Sequence, residues 1–148
     1  MMTTDPRHLE QSTYLTLQVL ALRLKDEVEL LLKPEGLSVT QYNVLRILRG
    51  AGAQALTCGE VASQLLNKDP DVTRLLDRMQ KQGLVERLRS EQDRRVLLTR
   101  LTPQGRATVD QFDAPVAALH RQQFRQLTPD RLALLLDLLQ EIAQQDTD

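Results

Sequence analysis

Arg74 heads a set of polar side chains, with Thr73, Asp77, Arg78 and Lys81, on one side of a helix predicted over about 70–82. At 100° per residue, Val72, Leu75, Leu76 and Met79 fall on the opposite side. A guanidinium such as that of Arg74 pairs bidentately with two acceptors in a plane, the pattern of guanine O6 and N7. Lys68, Thr73 and Arg78 suit phosphate oxygens, contacts that position a protein on a duplex without reading sequence. The same face also fits a solvated amphipathic surface carrying an Asp77–Lys81 ion pair. Taken alone, the helix leaves both readings open.

A second set follows. Asp93-Arg94-Arg95 sits in the polar stretch 90–95 between two strand-like runs, Leu84–Arg89 and Val96–Leu101. An arginine at such a hairpin tip is attracted into a narrow minor groove, and Asp93 can brace it with a charge-assisted hydrogen bond. Charge at a hairpin tip for solubility alone is the plain alternative. Its order after a helix pair favours the nucleic-acid reading.

The elements that must position these residues are well punctuated. Asp5-Pro6, Asp69-Pro70, Thr102-Pro103 and Thr128-Pro129 each place a capping residue before a proline at the first helical position. Ser38-Val39-Thr40-Gln41 and Thr57-Cys58-Gly59-Glu60 read as capping boxes. Helices are therefore expected at about 6–32, 39–49, 58–66, 70–82, 103–126 and 129–145. Pro115 predicts a kink in the fifth rather than an end. Two helices ending in a hairpin form a winged helix-turn-helix by order of elements. The fold class expected is mainly α (α+β).

The first and last helices carry leucine around more than one face, including Leu15, Leu17, Leu20 and Leu22, then Leu132, Leu134, Leu135, Leu136, Leu138 and Leu139. Such helices must be buried on several sides. A homodimer joined through the terminal helices answers that need. One domain over 1–148 is expected, with the winged helix at about 38–102 and dimerisation helices at about 6–34 and 103–146.

The net charge of −1 hides a gradient. Residues 68–100 carry nine basic and six acidic side chains, against six and seven in 1–67 and four and seven in 101–148. The basic excess lies where an electrostatic footprint is needed.

At these residues a resemblance enters. The run Asp71-Val72-Thr73-Arg74-Leu75-Leu76-Asp77-Arg78-Met79, continuing to Arg87, resembles the recognition helix of the MarR family of bacterial transcription regulators. Asp93-Arg94-Arg95 followed by Leu97–Leu101 and Thr102-Pro103-Gln104-Gly105 is similar to that family's wing and its exit. The resemblance implies a two-fold dimer on a pseudo-palindromic operator, most often as a repressor. It implies groove-facing roles for Thr73 and Arg74, a minor-groove role for Arg95 and a bracing role for Asp93. It further implies a small anionic or aromatic ligand bound where the dimerisation helices meet the winged helix; by their positions on the outer helices alone, Tyr14, Tyr42, Arg46 and Phe112 are conceivable lining. Asp71 departs from the small polar residue of many relatives. It either accepts from a cytosine amine or only caps the helix.

Other features carry less. Cys58 stands in the first turn of a helix, a setting that can activate a thiol; it reads as an unreactive small residue, with a redox-sensing regulator acting through it as the alternative. A dimeric interaction module without DNA binding is another. A single cysteine excludes an internal disulfide, and His8 and His120 have no metal-ligand spacing, so neither metal nor cofactor is expected. No nucleophile elbow or phosphate loop is present in the sequence, and an enzyme is not expected. With no apolar run near the roughly 20 residues of a membrane span and no signal peptide visible, the expected location is the cytoplasm.

Overall fold

The computed structural model describes residues 6–66 and 71–144. Among these, a short 3-10 turn at Pro6–His8 leads into α1 (Leu9–Leu32), and a second at Lys33–Glu35 closes it. Then come α2 (Val39–Gly50), β1 (Leu56–Thr57), α3 (Cys58–Gln64), α4 (Val72–Lys81), β2 (Val85–Arg89), β3 (Leu97–Leu101), α5 (Pro103–Gln123) and α6 (Pro129–Ala143). The architecture is mainly α with a small antiparallel sheet, in winged helix-turn-helix order.

Both expected capping boxes form. Ser38 Oγ accepts from Gln41 N at 3.1 Å while Gln41 Oε1 accepts from Ser38 N at 3.2 Å. Thr57 and Glu60 do the same for α3, at 3.1 and 3.3 Å. Each box satisfies orphan donors of the first turn and fixes where the helix begins. Thr128 caps α6, and α5 runs on through Pro115.

The start of α4 differs from expectation. α4 begins at Val72 rather than residue 70, because Asp71 is its N-cap and accepts from Arg74 N at 3.0 Å. A carboxylate that satisfies a first-turn donor starts the helix there. Residues 67–70, with the expected Asp69-Pro70 start and Lys68, lie outside the described residues. β1 is an element that sequence reading did not foresee. It adds to the hairpin in the order β1-β3-β2, with Leu56 opposite Thr99 and Thr57 opposite Leu98.

The chain divides into two compact units, Met1–Asp113 and Ala114–Asp148. In the first, Leu32, Val44, Leu45, Val61, Leu76, Met79, Val85 and Val109 are fully or almost fully buried. These residues come from the helices and the sheet together, so the apolar face of α4 is sealed into this core. Only its polar face is left outside.

The far end of α4 is fixed just as firmly. Gly83 takes the left-handed conformation at φ 78°, and Leu84 N donates to Met79 O at 3.0 Å, closing the helix in a Schellman motif. Thr102 Oγ1 then donates to Gly83 O at 2.6 Å and accepts from Gly105 N at 2.9 Å. One hydroxyl thus joins the end of α4 to the start of α5. Gly105 is required at this junction, since a Cβ there would lie 2.0 Å from Leu84 O.

Candidate nucleic-acid interface

The α4 surface is built by exclusion. Val72, Leu75, Leu76 and Met79 are buried, so Thr73, Arg74, Asp77 and Arg78 must project outward, and all four are exposed. The Arg74 side chain is 79% exposed and its Nε lies 3.3 Å from Asp71 Oδ2. Asp71 therefore holds Arg74 twice, once through the backbone and once through the guanidinium. This favours the capping role of Asp71 over a free acceptor aimed at a base. Thr73 Oγ1 leans on α3, 3.4 Å from Cys58 Sγ.

Asp77 does not make the ion pair of the solvated-surface alternative. Its partner is Arg87 of β2 rather than Lys81. The reason is burial. The Arg87 side chain is 7% exposed, and a guanidinium taken from water draws the nearest carboxylate to itself. Among the described residues, its Nε and the Oγ1 of Thr99, the residue opposite it on β3, are both buried without a protein partner.

The hairpin tip is pinned from inside. Ser90 Oγ accepts from Gln92 N and Asp93 N at 3.2 and 3.4 Å, and Val96 N donates to Asp93 O at 2.9 Å. The Asp93 carboxylate then accepts from Arg95 N and Nε at 3.1 Å and from Nη2 at 3.3 Å. Those bonds from Arg95 hold the Asp93 carboxyl below the usual carboxylate range. Arg95 itself is 92% exposed. The result is a cation that points into solvent yet is held in orientation at its base. Arg94 is exposed beside it, its carbonyl 3.4 Å from Arg89 Nη1.

Of the conceivable ligand-lining residues, three come together. Tyr42 and Phe112 meet edge to face at 6.2 Å, and Arg46 stands 5.9 Å from the Tyr42 ring centre. The two rings are buried against each other, which makes them a packing pair. Tyr14 is exposed on α1 and accepts from Gln18 of its own helix.

Sequence reading missed a link between α2 and α5. Arg49 Nη1 donates to Asp110 and Asp113 at 2.8 Å, and its Nη2 to Asp113 at 2.9 Å. These hydrogen bonds raise the Arg49 pKa and lower that of Asp113. No sequence signal joins residues so far apart. Among the described residues, no cluster of His, Cys, Asp and Glu could hold a metal, and no helix is long and apolar enough to cross a membrane.

A family model described as MarR family matches residues 35–96. The multiple antibiotic resistance protein MarR of Salmonella typhimurium is 37% identical over 112 residues, covering 75% of this chain and 76% of that protein. The homoprotocatechuate degradative operon repressor of Escherichia coli is 30% identical over 111 residues, covering 75% and 74%. Among solved structures, a mutant MarR of E. coli in complex with operator DNA superposes with a TM-score of 0.81 at 28% identity. That match covers 94% of this chain and 99% of the other.

Proposed function

This chain belongs to the MarR family, and we propose that it represses transcription as a homodimer on a pseudo-palindromic operator. The observation that carries the reading is the Asp93–Arg95 brace, which leaves a strongly exposed cation oriented at the hairpin tip. A solubilising charge has no need of three hydrogen bonds at its base.

In this reading α4 enters the major groove, Arg74 reads a base edge and Thr73 assists it. Arg78, Lys68 and Arg94 contact phosphate, and Arg95 enters the adjacent minor groove with Asp93 behind it. Asp71 serves the interface by holding Arg74. The winged helix occupies about 38–102, and the flanking helices at about 6–34 and 103–146 pair two copies.

Support for pairing comes from apolar side chains left outside in one chain. On α1 these include Leu15, Val19 and Leu22, and on α6 Leu134, Leu136, Leu138 and Ile142. α6 buries none of its residues. An apolar surface of this kind marks an association site. The work is assigned to the cytoplasm, where the DNA is.

Ligand control belongs to the same reading. The E. coli relative represses a degradative operon for homoprotocatechuate, by its name. A small anionic or aromatic molecule would act here only by favouring a form of the dimer that binds DNA less well.

Selection of genomic fragments by the purified chain, followed by sequencing, tests the function. The expected product is a pseudo-palindrome with half-sites about 34 Å apart, one helical turn. Recovery of fragments without a shared motif would refute it.

A further inference from the structure

Asp77 stands in an awkward place for a helix that approaches DNA. At 100° per residue it falls between Thr73 and Arg74 on the polar side of α4, one turn further along. Its side chain is 53% exposed. A bare carboxylate there repels phosphate over the same short range at which Arg74 and Arg78 attract it.

Beneath it lies a cation too deep to reach a phosphate. Arg89, Arg94, Arg95 and Arg100 of the hairpin are exposed, whereas the Arg87 side chain is almost fully buried. Arg87 Nη1 donates to Asp77 Oδ1. Among the described residues, Asp77 is its one ion-pair partner, and its Nε has no protein partner at all. A buried guanidinium with an unpaired N–H depends the more on that single carboxylate.

We propose that Arg87 is the charge mask of the recognition helix. From beneath the reading face it neutralises Asp77 and draws the carboxylate towards β2, so that α4 meets phosphate with Arg74 and Arg78 unopposed. Arg87 itself touches no DNA. The inference rests on the DNA-binding reading of α4.

A mask differs from a structural strut in what each partner leaves behind. Without Arg87, Asp77 stays hydrated and the fold loses little, but the interface gains a bare negative charge. Without the Asp77 carboxylate, a buried guanidinium loses its counter-charge and the fold suffers, while the interface loses an acid. Stability and DNA affinity must therefore respond in opposite orders.

The test compares Arg87→Met, Asp77→Asn and the double variant, each as the full chain. Methionine fills the space of the arginine stem without charge. In urea unfolding without DNA, the midpoint of Asp77→Asn should lie below that of Arg87→Met. Binding is then measured to a duplex recovered by genomic selection and to its scrambled counterpart. The salt is about 0.15 M, where charges beyond about 8 Å are screened.

Arg87→Met should bind both duplexes roughly fivefold more weakly per subunit. Its slope of log K against log salt should be shallower by about one per subunit. Asp77→Asn should bind at least as tightly as the parent, and the double variant should recover the parent's affinity and slope.

Equal weakening in Arg87→Met and the double variant would show that the pair acts through the fold alone, and would overturn the mask. Affinities that follow the unfolding midpoints would do the same. If Arg87→Met does not fold, Asp77→Asn decides alone: weaker binding than the parent refutes the mask, and equal or tighter binding upholds it. A parent chain that binds neither duplex would overturn the proposed function, and the mask with it.

Discussion

Asp71 grips Arg74 at both ends of the residue: Oδ1 accepts its backbone N–H at 3.0 Å and Oδ2 lies 3.3 Å from its Nε. A side chain that starts a helix is thus also the one that steadies the foremost base-reading candidate. This dissolves the apparent misfit of an acid at the front of a DNA-binding helix. The carboxylate spends its charge on the protein before any phosphate meets it. Arg74→Ala should cost about 1–3 kcal/mol of binding and relax preference at one base position, measured by competition with single-base operator variants. Asp71→Asn should keep the fold, since asparagine also caps, yet broaden base preference. Asp71→Ala should in addition lower unfolding free energy by about 1 kcal/mol in urea titration.

At the hairpin tip, Arg95→Ala should weaken binding with little change in major-groove preference. A changed preference at the α4 bases would refute the wing assignment. Because the folded pKa of Asp93 is depressed, its ionised, bracing form persists below the ordinary carboxylate range. The contribution of the brace is present above the unfolded pKa and lost only as pH falls through the lower folded value. The loss of affinity in Asp93→Asn should therefore be constant from roughly pH 5 to 8, as read by anisotropy of a labelled duplex.

The pairing of Asp77 makes a different prediction about stability. Asp77→Ala leaves the buried Arg87 without its carboxylate, an outcome far costlier than losing an exposed ion pair. Unfolding free energy should fall by about 1–3 kcal/mol, while Lys81→Ala should change it by less than about 0.5 kcal/mol. Equal effects would restore the Asp77–Lys81 pair.

Much of this arrangement was legible in the chain because its signals are local. Ser38 with Gln41 and Thr57 with Glu60 are three residues apart, and a capping box needs nothing further away. The buried face of α4 follows from period alone, and the Asp93–Arg95 brace spans two positions. What stayed hidden depends on distant approach. β1 is two residues long and exists only because β3 lies beside it, so it has no period to detect. Arg87 reaches Asp77 across two elements, and Arg49 reaches α5 from α2. Two aspartates, Asp69 and Asp71, offer the same capping signal in sequence, and the structure shows Asp71 as the N-cap of α4.

Arg49 offers a test of that distant approach. Its hydrogen bonds hold the Asp113 pKa down, so the link stabilises the fold above the unfolded carboxylate pKa and fades as pH falls through the folded one. Arg49→Met should be less stable than the parent at neutral pH. The gap should narrow in acid, below the ordinary aspartate range, when both are unfolded by heat across pH. A gap independent of pH would show that Arg49 acts by packing alone.

In the proposed function, α4 and the wing read DNA together. The most direct measurement is equilibrium binding to a genomically selected pseudo-palindrome and to its scrambled counterpart across a salt series. Log K should fall linearly with log salt for both, with the palindrome tighter by at least about a thousandfold. Equal, salt-insensitive or absent binding to the two duplexes at low ionic strength would contradict it.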